Sequence, residues 1–101
     1  KMVKHIVMWR LKENSCGNSK EENKKLIKEK LEALAGRIEG LIKIEVGFDF
    51  SNTESSYDIC LYSEFESKQA LDNYQAHPEH KAVMPFILEA RTDRIVTDYE
   101  I

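Results

Sequence analysis

Three histidines and one tyrosine are the side chains of this sequence best suited to acid–base chemistry. His77 and His80 are three residues apart, a spacing that can place two imidazoles on one face of a helix, and Tyr74 precedes His80 by six residues. A neutral imidazole can take up a proton near pH 7, and a tyrosine hydroxyl can hold a carbonyl oxygen. Tyr74 and His80 are therefore the candidate catalytic pair.

The other two histidines also have structural interpretations. His5 lies on the more apolar side of an alternating segment, where a histidine is more often a hydrogen-bonded core residue than a catalyst. His77 and Pro78 together are typical of a helix start, because proline is favoured at the first helical position. No third cysteine, histidine or paired carboxylate stands near His77 and His80 at metal-ligand spacing, so no metal site is predicted.

Several classes of function lack their sequence signals. The four glycines form neither GxGxxG nor a phosphate loop, there is no GxSxG, and the carboxylates are scattered along solvated helix faces. Fifteen basic and eighteen acidic residues leave a net charge of −3, which argues against a nucleic-acid partner. Cys16 and Cys60 lack CxxC spacing, and we expect free thiols in a reducing compartment.

The length of 101 residues predicts a single domain. The longest uncharged stretch, from Ala82 to Leu88, is far shorter than the roughly 20 apolar residues of a membrane span. Strand-like alternation begins at once instead of a signal peptide, so we expect a cytoplasmic protein without a membrane partner. Lys1 before Met2 is interpreted as a tag remnant, and the predicted domain covers residues 2–101.

The hydrophobic pattern predicts the elements that must position these side chains. Strands are expected over residues 3–11, 42–50, 57–65 and 94–99. A capping box from Ser19 to Glu22 predicts a helix that stops near Gly36, and its inner stripe contains Leu26, Ile27, Leu31, Leu34 and Ile38. Ser67 caps a second helix through about Ala76. A further helix starts at Pro78, and Pro85 should break or kink it.

This order, β-α-β-β-α-β, predicts a ferredoxin-like α+β fold: a four-stranded antiparallel sheet with the helices on one face. The first strand is apolar on both faces, because Val7 and Trp9 on one side are matched by Ile6 and Met8 on the other. A large apolar sheet face outside the helices usually marks an interface. The sequence therefore predicts a homodimer that packs sheet on sheet as a dimeric α+β barrel, with a partly apolar monomer as the alternative.

Several segments resemble the stress-responsive α/β-barrel (Dabb) family over essentially the whole chain. They are Val3 to Val7, Ser63 to Ser67, Tyr74 to His80 with its Tyr-x-x-His-Pro-x-His pattern, and Asp98-Tyr99. The resemblance implies a ferredoxin-like protomer that dimerises through its sheet. A cofactor-free polyketide cyclase of the family closes a linear substrate by aldol condensation.

The resemblance also implies roles for individual residues. His80 would be the general base and Tyr74 its orienting or oxyanion-holding partner. His5 would line a pocket between sheet and helices, with His77 as a second ligand-binding candidate, and no cofactor is implied. The tyrosine that the cyclase has in its first helix is missing from Lys25 to Lys28 of this chain.

Three hypotheses for function follow. The first is a dimer with a pocket for a small apolar metabolite, and the second is a cyclase or aldol-type enzyme that uses His80. The third is a structural, stress-related dimer without a ligand. The wider dimeric-barrel superfamily adds haem-degrading monooxygenases, in which His77 or His80 would ligate iron, but their motifs are absent.

Overall fold

A computed structural model describes all 101 residues of the chain as six strands and three helices. In chain order the elements are β1 (Val3–Leu11), β2 (Asn14–Ser15), β3 (Asn18–Ser19), α1 (Lys20–Glu32), β4 (Leu41–Phe48), β5 (Ile59–Phe65), α2 (Lys68–Ala76), α3 (Pro78–Ala90) and β6 (Arg91–Glu100). The helices have 9 to 13 residues. None of them is long and apolar enough to cross a membrane.

The four long strands form one antiparallel sheet in the order β4-β5-β1-β6, with β5 and β1 at its centre. The predicted ferredoxin-like arrangement is confirmed. Two details were not predicted. The short strands β2 and β3 form a separate hairpin before α1, and the turn between them passes through Cys16 and Gly17, both with positive φ.

The core lies between the helices and one face of this sheet. Side chains of β1 and β5 alternate along the strand between buried and half-buried, so each of these strands has one covered face. His5, Val7 and Trp9 lie on the covered face of β1, as the alternation predicts. Nineteen buried apolar residues from the sheet, the helices and the turn before β4 form a single cluster.

The first helix begins as predicted and ends earlier than predicted. The Ser19 hydroxyl accepts the amide of Glu22, whose carboxylate accepts the amide of Ser19, so the capping box is formed. The helix stops at Glu32, and the chain continues in tight turns through Gly36, whose φ is +76°. These turns still bury Leu34 and Ile38, which explains why their spacing looked helical.

Pro85 does not break the third helix, so of the two predicted outcomes, a break or a kink, the break is wrong. The helix runs without a gap from Pro78 to Ala90. Pro85 lies on the exposed side, and the carbonyl it leaves without an amide partner belongs to the exposed Lys81. Water can hydrogen-bond that carbonyl, so the helix tolerates the proline.

Strand β4 differs from the predicted pattern at both ends. It begins with a bulge at Ile42, because Leu41 and Lys43 pair with the consecutive residues Phe65 and Glu64. The bulge leaves Ile42 50% exposed, away from the buried face of the strand, which carries Ile44 and Val46. The strand stops at Phe48, two residues earlier than predicted. Strand β5 starts two residues later than predicted, and β6 starts three residues earlier.

Gly40 sets the distance between α2 and the turn before β4. Its φ is +86°, and a Cβ atom there would lie 2.6 Å from the Cβ of Ala70. Only glycine fits this approach, which holds α2 and its buried tyrosine against the sheet.

Candidate functional site

A cavity of about 80 Å³ opens between α3 and the covered face of the sheet near β6. His5 and Trp9 of β1 form its floor, and His80 and Ile87 of α3 form its roof. Strand β6 is the edge of the sheet, and nine of its ten residues are exposed. The cavity exists because the helices cover β1 but do not extend over β6.

Tyr74 and His80 lie against each other, with His80 in the cavity wall and Tyr74 behind it. Tyr74 is in the last turn of α2 and is fully buried, and His80 is in the first turn of α3. Their ring centroids are 4.5 Å apart with the planes inclined by 54°. The chain reverses between them at His77, which caps both helices with extended backbone (ψ 136°). The His77-Pro78 break therefore brings the two rings together.

Both rings carry a buried polar atom that makes no well-formed hydrogen bond within the chain. These atoms are Oη of Tyr74 and Nδ1 of His80, and no other side-chain nitrogen or oxygen is left in this condition. An unsatisfied buried polar group costs about 1–3 kcal/mol. Unsatisfied buried atoms on two adjacent rings need an explanation, and a bound molecule that completes their hydrogen bonds would provide one.

Burial also shifts the pKa values of the Tyr74 hydroxyl and the His80 imidazole. It lowers the pKa of His80, a weak hydrogen bond with the backbone of Gln75 partly opposes this effect, and electrostatic interactions with His5 and Arg94 lower the pKa slightly further. Burial raises the pKa of the Tyr74 hydroxyl. At neutral pH the imidazole is therefore uncharged and able to accept a proton, and the phenol remains a hydrogen-bond donor.

His5 reaches the same cluster from the sheet and is held by a partner that the sequence analysis missed. Its Nδ1 donates to the carboxylate of Asp98, the residue directly across from it on β6. The ring stands edge-on to Phe65 and Tyr74, with both centroids 6.3 Å away. The ring makes no other hydrogen bond, and His5 is one of the residues that line the cavity. Its role in ligand binding remains a prediction.

His77 has a different environment from the other two histidines. Its Nδ1 accepts the amide of Glu79 at 3.0 Å and so caps the first turn of α3. It does not line the cavity. Its ligand-binding role remains a prediction, whereas its capping role is what the His-Pro start signal predicts.

The sequence analysis also missed two arginines at the cavity, Arg91 and Arg94. The predicted last strand begins at Arg94 and leaves out Arg91, and the sequence pattern assigns no role to either side chain. The alternation of β6 contains a signal for Arg94, because it shares a face with Val96 and Asp98.

No group of three or more His, Cys, Asp or Glu side chains gathers anywhere in the structure. Cys16 and Cys60 are unpaired.

The face of the sheet opposite the helices carries apolar side chains that nothing in the single chain covers. Ile6 and Met8 are half-buried, and on the neighbouring strand β6 Ile95 is 46% and Tyr99 43% exposed. The strand register places Met8 between Cys60 and Ile95 on this face. A connected apolar area of this kind is typical of an interface.

Comparisons with known proteins extend these observations. The family model of the stress responsive A/B barrel domain matches residues 3–101. An uncharacterised protein of Streptomyces coelicolor is 31% identical over 100 residues, which covers 98% of this chain and 99% of that protein. A dimeric protein of unknown function from Bacteroides fragilis, with a ferredoxin-like fold, is 37% identical with a TM-score of 0.83, and the match covers 99% of this chain and 96% of its own. The hydroxynitrile lyase of Passiflora edulis has a TM-score of 0.82 over 100% of this chain and 94% of its own, and at 19% identity the likeness is one of fold.

Proposed function

Because the chain belongs to the stress responsive A/B barrel domain family, we propose that it is a homodimer whose protomers each bind a small, mostly apolar molecule between helices and sheet. The observation that carries the proposal is the pair of unsatisfied buried atoms, Tyr74 Oη and His80 Nδ1. A protein gains nothing in stability from buried polar atoms that lack hydrogen-bond partners. A ligand oxygen bound at His80, which lines the cavity, would lie next to Tyr74, which is behind His80 and is not part of the lining.

The nature of the ligand follows from the lining. Most of the wall is apolar, with Val7 and Trp9 on the sheet side and Met84 and Ile87 on the α3 side, and the polar lining residues are His5, Gln75, His80, Arg91 and Arg94. The volume of about 80 Å³ equals roughly three water molecules at about 30 Å³ each. The enclosed part of the ligand is therefore a few non-hydrogen atoms. Anything larger must extend through the open side or displace the exposed side chain of Leu88.

The dimer is supported by the free face of the sheet and by the relatives. Ile6, Met8 and Ile95 are partly exposed in the single chain. Sheet-on-sheet packing would remove them from water, and burial of apolar surface is favourable. The Bacteroides fragilis relative is described as dimeric. Since the cavity lies on the opposite face, dimerisation would leave the cavity in each protomer open.

Native mass spectrometry of protein purified gently from its own cells tests both parts. We expect the mass of two chains, with a small-molecule mass retained on each. The double variant Tyr74→Phe, His80→Ala should remain dimeric and lose the adduct, whereas the exposed-site variant Lys25→Gln should keep both. A monomer would refute the dimer. An adduct that survives in the double variant would refute the site.

A second candidate function, proton transfer at a carbon next to a carbonyl, is favoured by the proton states of the pair. His80 Nδ1 would take the proton, and the electron pair would move onto the carbonyl oxygen that the Tyr74 hydroxyl holds. The resulting enolate carbon could attack a second carbonyl group, after which His80 returns the proton to the new alkoxide. This is the aldol-type reaction implied by the resemblance to the polyketide cyclase.

Deuterium exchange into 2-butanone in D₂O, followed by NMR, isolates the first step of that reaction. This ketone has five non-hydrogen atoms, so its carbonyl end can enter the cavity while the rest extends through the open side. We expect the protein to accelerate exchange, His80→Ala to remove about 10²–10⁴-fold of the acceleration, and Lys25→Gln to leave it unchanged. Absence of acceleration, or full acceleration by His80→Ala, would refute the catalytic role and leave the binding role to the mass measurement.

A further inference from the structure

Resting on the proposed ligand cavity, we infer that its mouth recognises a carboxylate on the bound molecule through Arg91 and Arg94. The ligand class is therefore a small organic acid with an apolar body. Arg91 and Arg94 lack carboxylate partners, the cavity wall has no acidic residue, and both arginines lie on the strand that borders the cavity.

The chain has four arginines, and they divide into two groups. Arg10 and Arg37 each form an ion pair with a carboxylate, at 3.8 and 3.2 Å. Arg91 and Arg94 form none, and the one side-chain hydrogen bond of the two is a long 3.4 Å contact from Arg91 to the carbonyl of Thr92. The two arginines without a carboxylate are the two that line the cavity.

The cavity wall is positively charged, although the protein as a whole is negatively charged. The chain as a whole has a net charge of −3, but no aspartate or glutamate lines the cavity. Asp98, which lies across from His5, is hydrogen-bonded to that histidine. The wall therefore carries two guanidinium groups and no negative charge of its own. Guanidinium matches the planar carboxylate with two parallel hydrogen bonds, which favours a carboxylate as the complement.

The strand register places the backbone of the two arginines several residues along the sheet from His5. On β6, Arg94 lies across from Trp9 and Arg91 across from Leu11, whereas the Tyr74–His80 pair is next to His5. Trp9 is about 14 Å along β1 from His5, at about 3.4 Å per residue. Flexible arginine side chains can reach back over part of that span, and the wall between is apolar. A molecule with its carboxylate at the arginines would present its other end towards His80.

Binding of butanoate and butanamide tests the inference, because the two probes have the same shape and differ in charge. The chain has a single tryptophan, which is 3% exposed and lines the cavity, so its indole N–H resonance reports occupancy directly. We expect butanoate to bind about fivefold more tightly than butanamide, the factor that an exposed ion pair of about 1 kcal/mol supplies.

Arg94→Gln and Arg91→Gln should each reduce that preference, and the double variant should abolish it without changing the affinity for butanamide. Lys25→Gln removes the same charge from the exposed face of α1 and should leave the preference intact. Equal affinity for both probes, or a preference that survives in the double variant, would overturn the carboxylate site and leave the cavity proposal standing. If neither probe shifts the Trp9 signal, both proposals fail.

Discussion

Two regions of this molecule bury polar side chains in opposite ways. Asn23 of α1 is fully buried and satisfied: its amide donates to the carbonyl of Ser15 at 3.0 Å and its oxygen accepts from Asn18 at 3.1 Å. Tyr74 is buried and His80 is half-buried, and each has one buried polar atom without a partner. The first arrangement fixes the β2–β3 hairpin to the helix. The second leaves hydrogen-bonding capacity unused in the interior, which is the property on which the proposed ligand site depends.

Replacing Asn23 should have the largest effect on stability. Asn23→Ala removes two hydrogen bonds and opens a void under the hairpin, so we expect the free energy of unfolding to fall by about 3 kcal/mol. Urea denaturation at fixed protein concentration, followed by circular dichroism, measures it. Asn18→Ala removes one of the two bonds from a half-buried position and should cost less. Equal costs for the two variants would mean that the Ser15 bond contributes nothing.

His5 combines the two arrangements, since its Nδ1 is hydrogen-bonded to Asp98 and its Nε2 makes no hydrogen bond. His5→Ala should lower the free energy of unfolding by about 2 kcal/mol, because it breaks the bond to Asp98 and removes a ring packed against Phe65 and Tyr74. Asp98→Asn keeps the ring in place and should cost less than half as much in the same denaturation experiment. A smaller loss for His5→Ala than for Asp98→Asn would show that the packing is unimportant.

Tyr74→Phe should act in the opposite direction from Asn23→Ala. The hydroxyl it deletes has no partner, so the free energy of unfolding should stay the same or rise by up to about 1 kcal/mol. The same variant should weaken ligand retention in native mass spectrometry. A loss of stability above 1 kcal/mol would contradict the unsatisfied hydroxyl and, with it, the contrast between the two regions.

The pH dependence from His80 should be the smallest effect. Its pKa in the folded protein is lowered, so the unfolded chain takes up a proton that the folded protein resists. This contribution makes stability fall as the pH drops through about 6.5, the ordinary histidine pKa. Urea midpoints of the wild type and His80→Asn between pH 8 and pH 5 isolate it, because all other groups are shared. The wild type should lose more stability than the variant, and a smaller loss would refute the lowered pKa.

The fold was predictable because its signals are local. Alternation in β1, the capping box from Ser19 to Glu22 and the His77-Pro78 helix start each depend on a few adjacent residues, and each is formed as expected. The errors occur where local pattern and tertiary packing diverge. Leu34 has helical spacing but is buried by a turn, and Pro85 is tolerated because the affected carbonyl faces water.

For the candidate site, the sequence by itself determined the chemical types and the covered faces: a tyrosine and a histidine on either side of a helix break, and His5 on the inner face of β1. Tertiary structure decided the rest. The partner of His5 is 93 residues away, and its identity depends on the register between β1 and β6. Whether Tyr74 and His80 find partners depends on every element packed around them. Pattern in a sequence reports which way a side chain faces, whereas hydrogen-bond satisfaction and pKa depend on what occupies the space it faces.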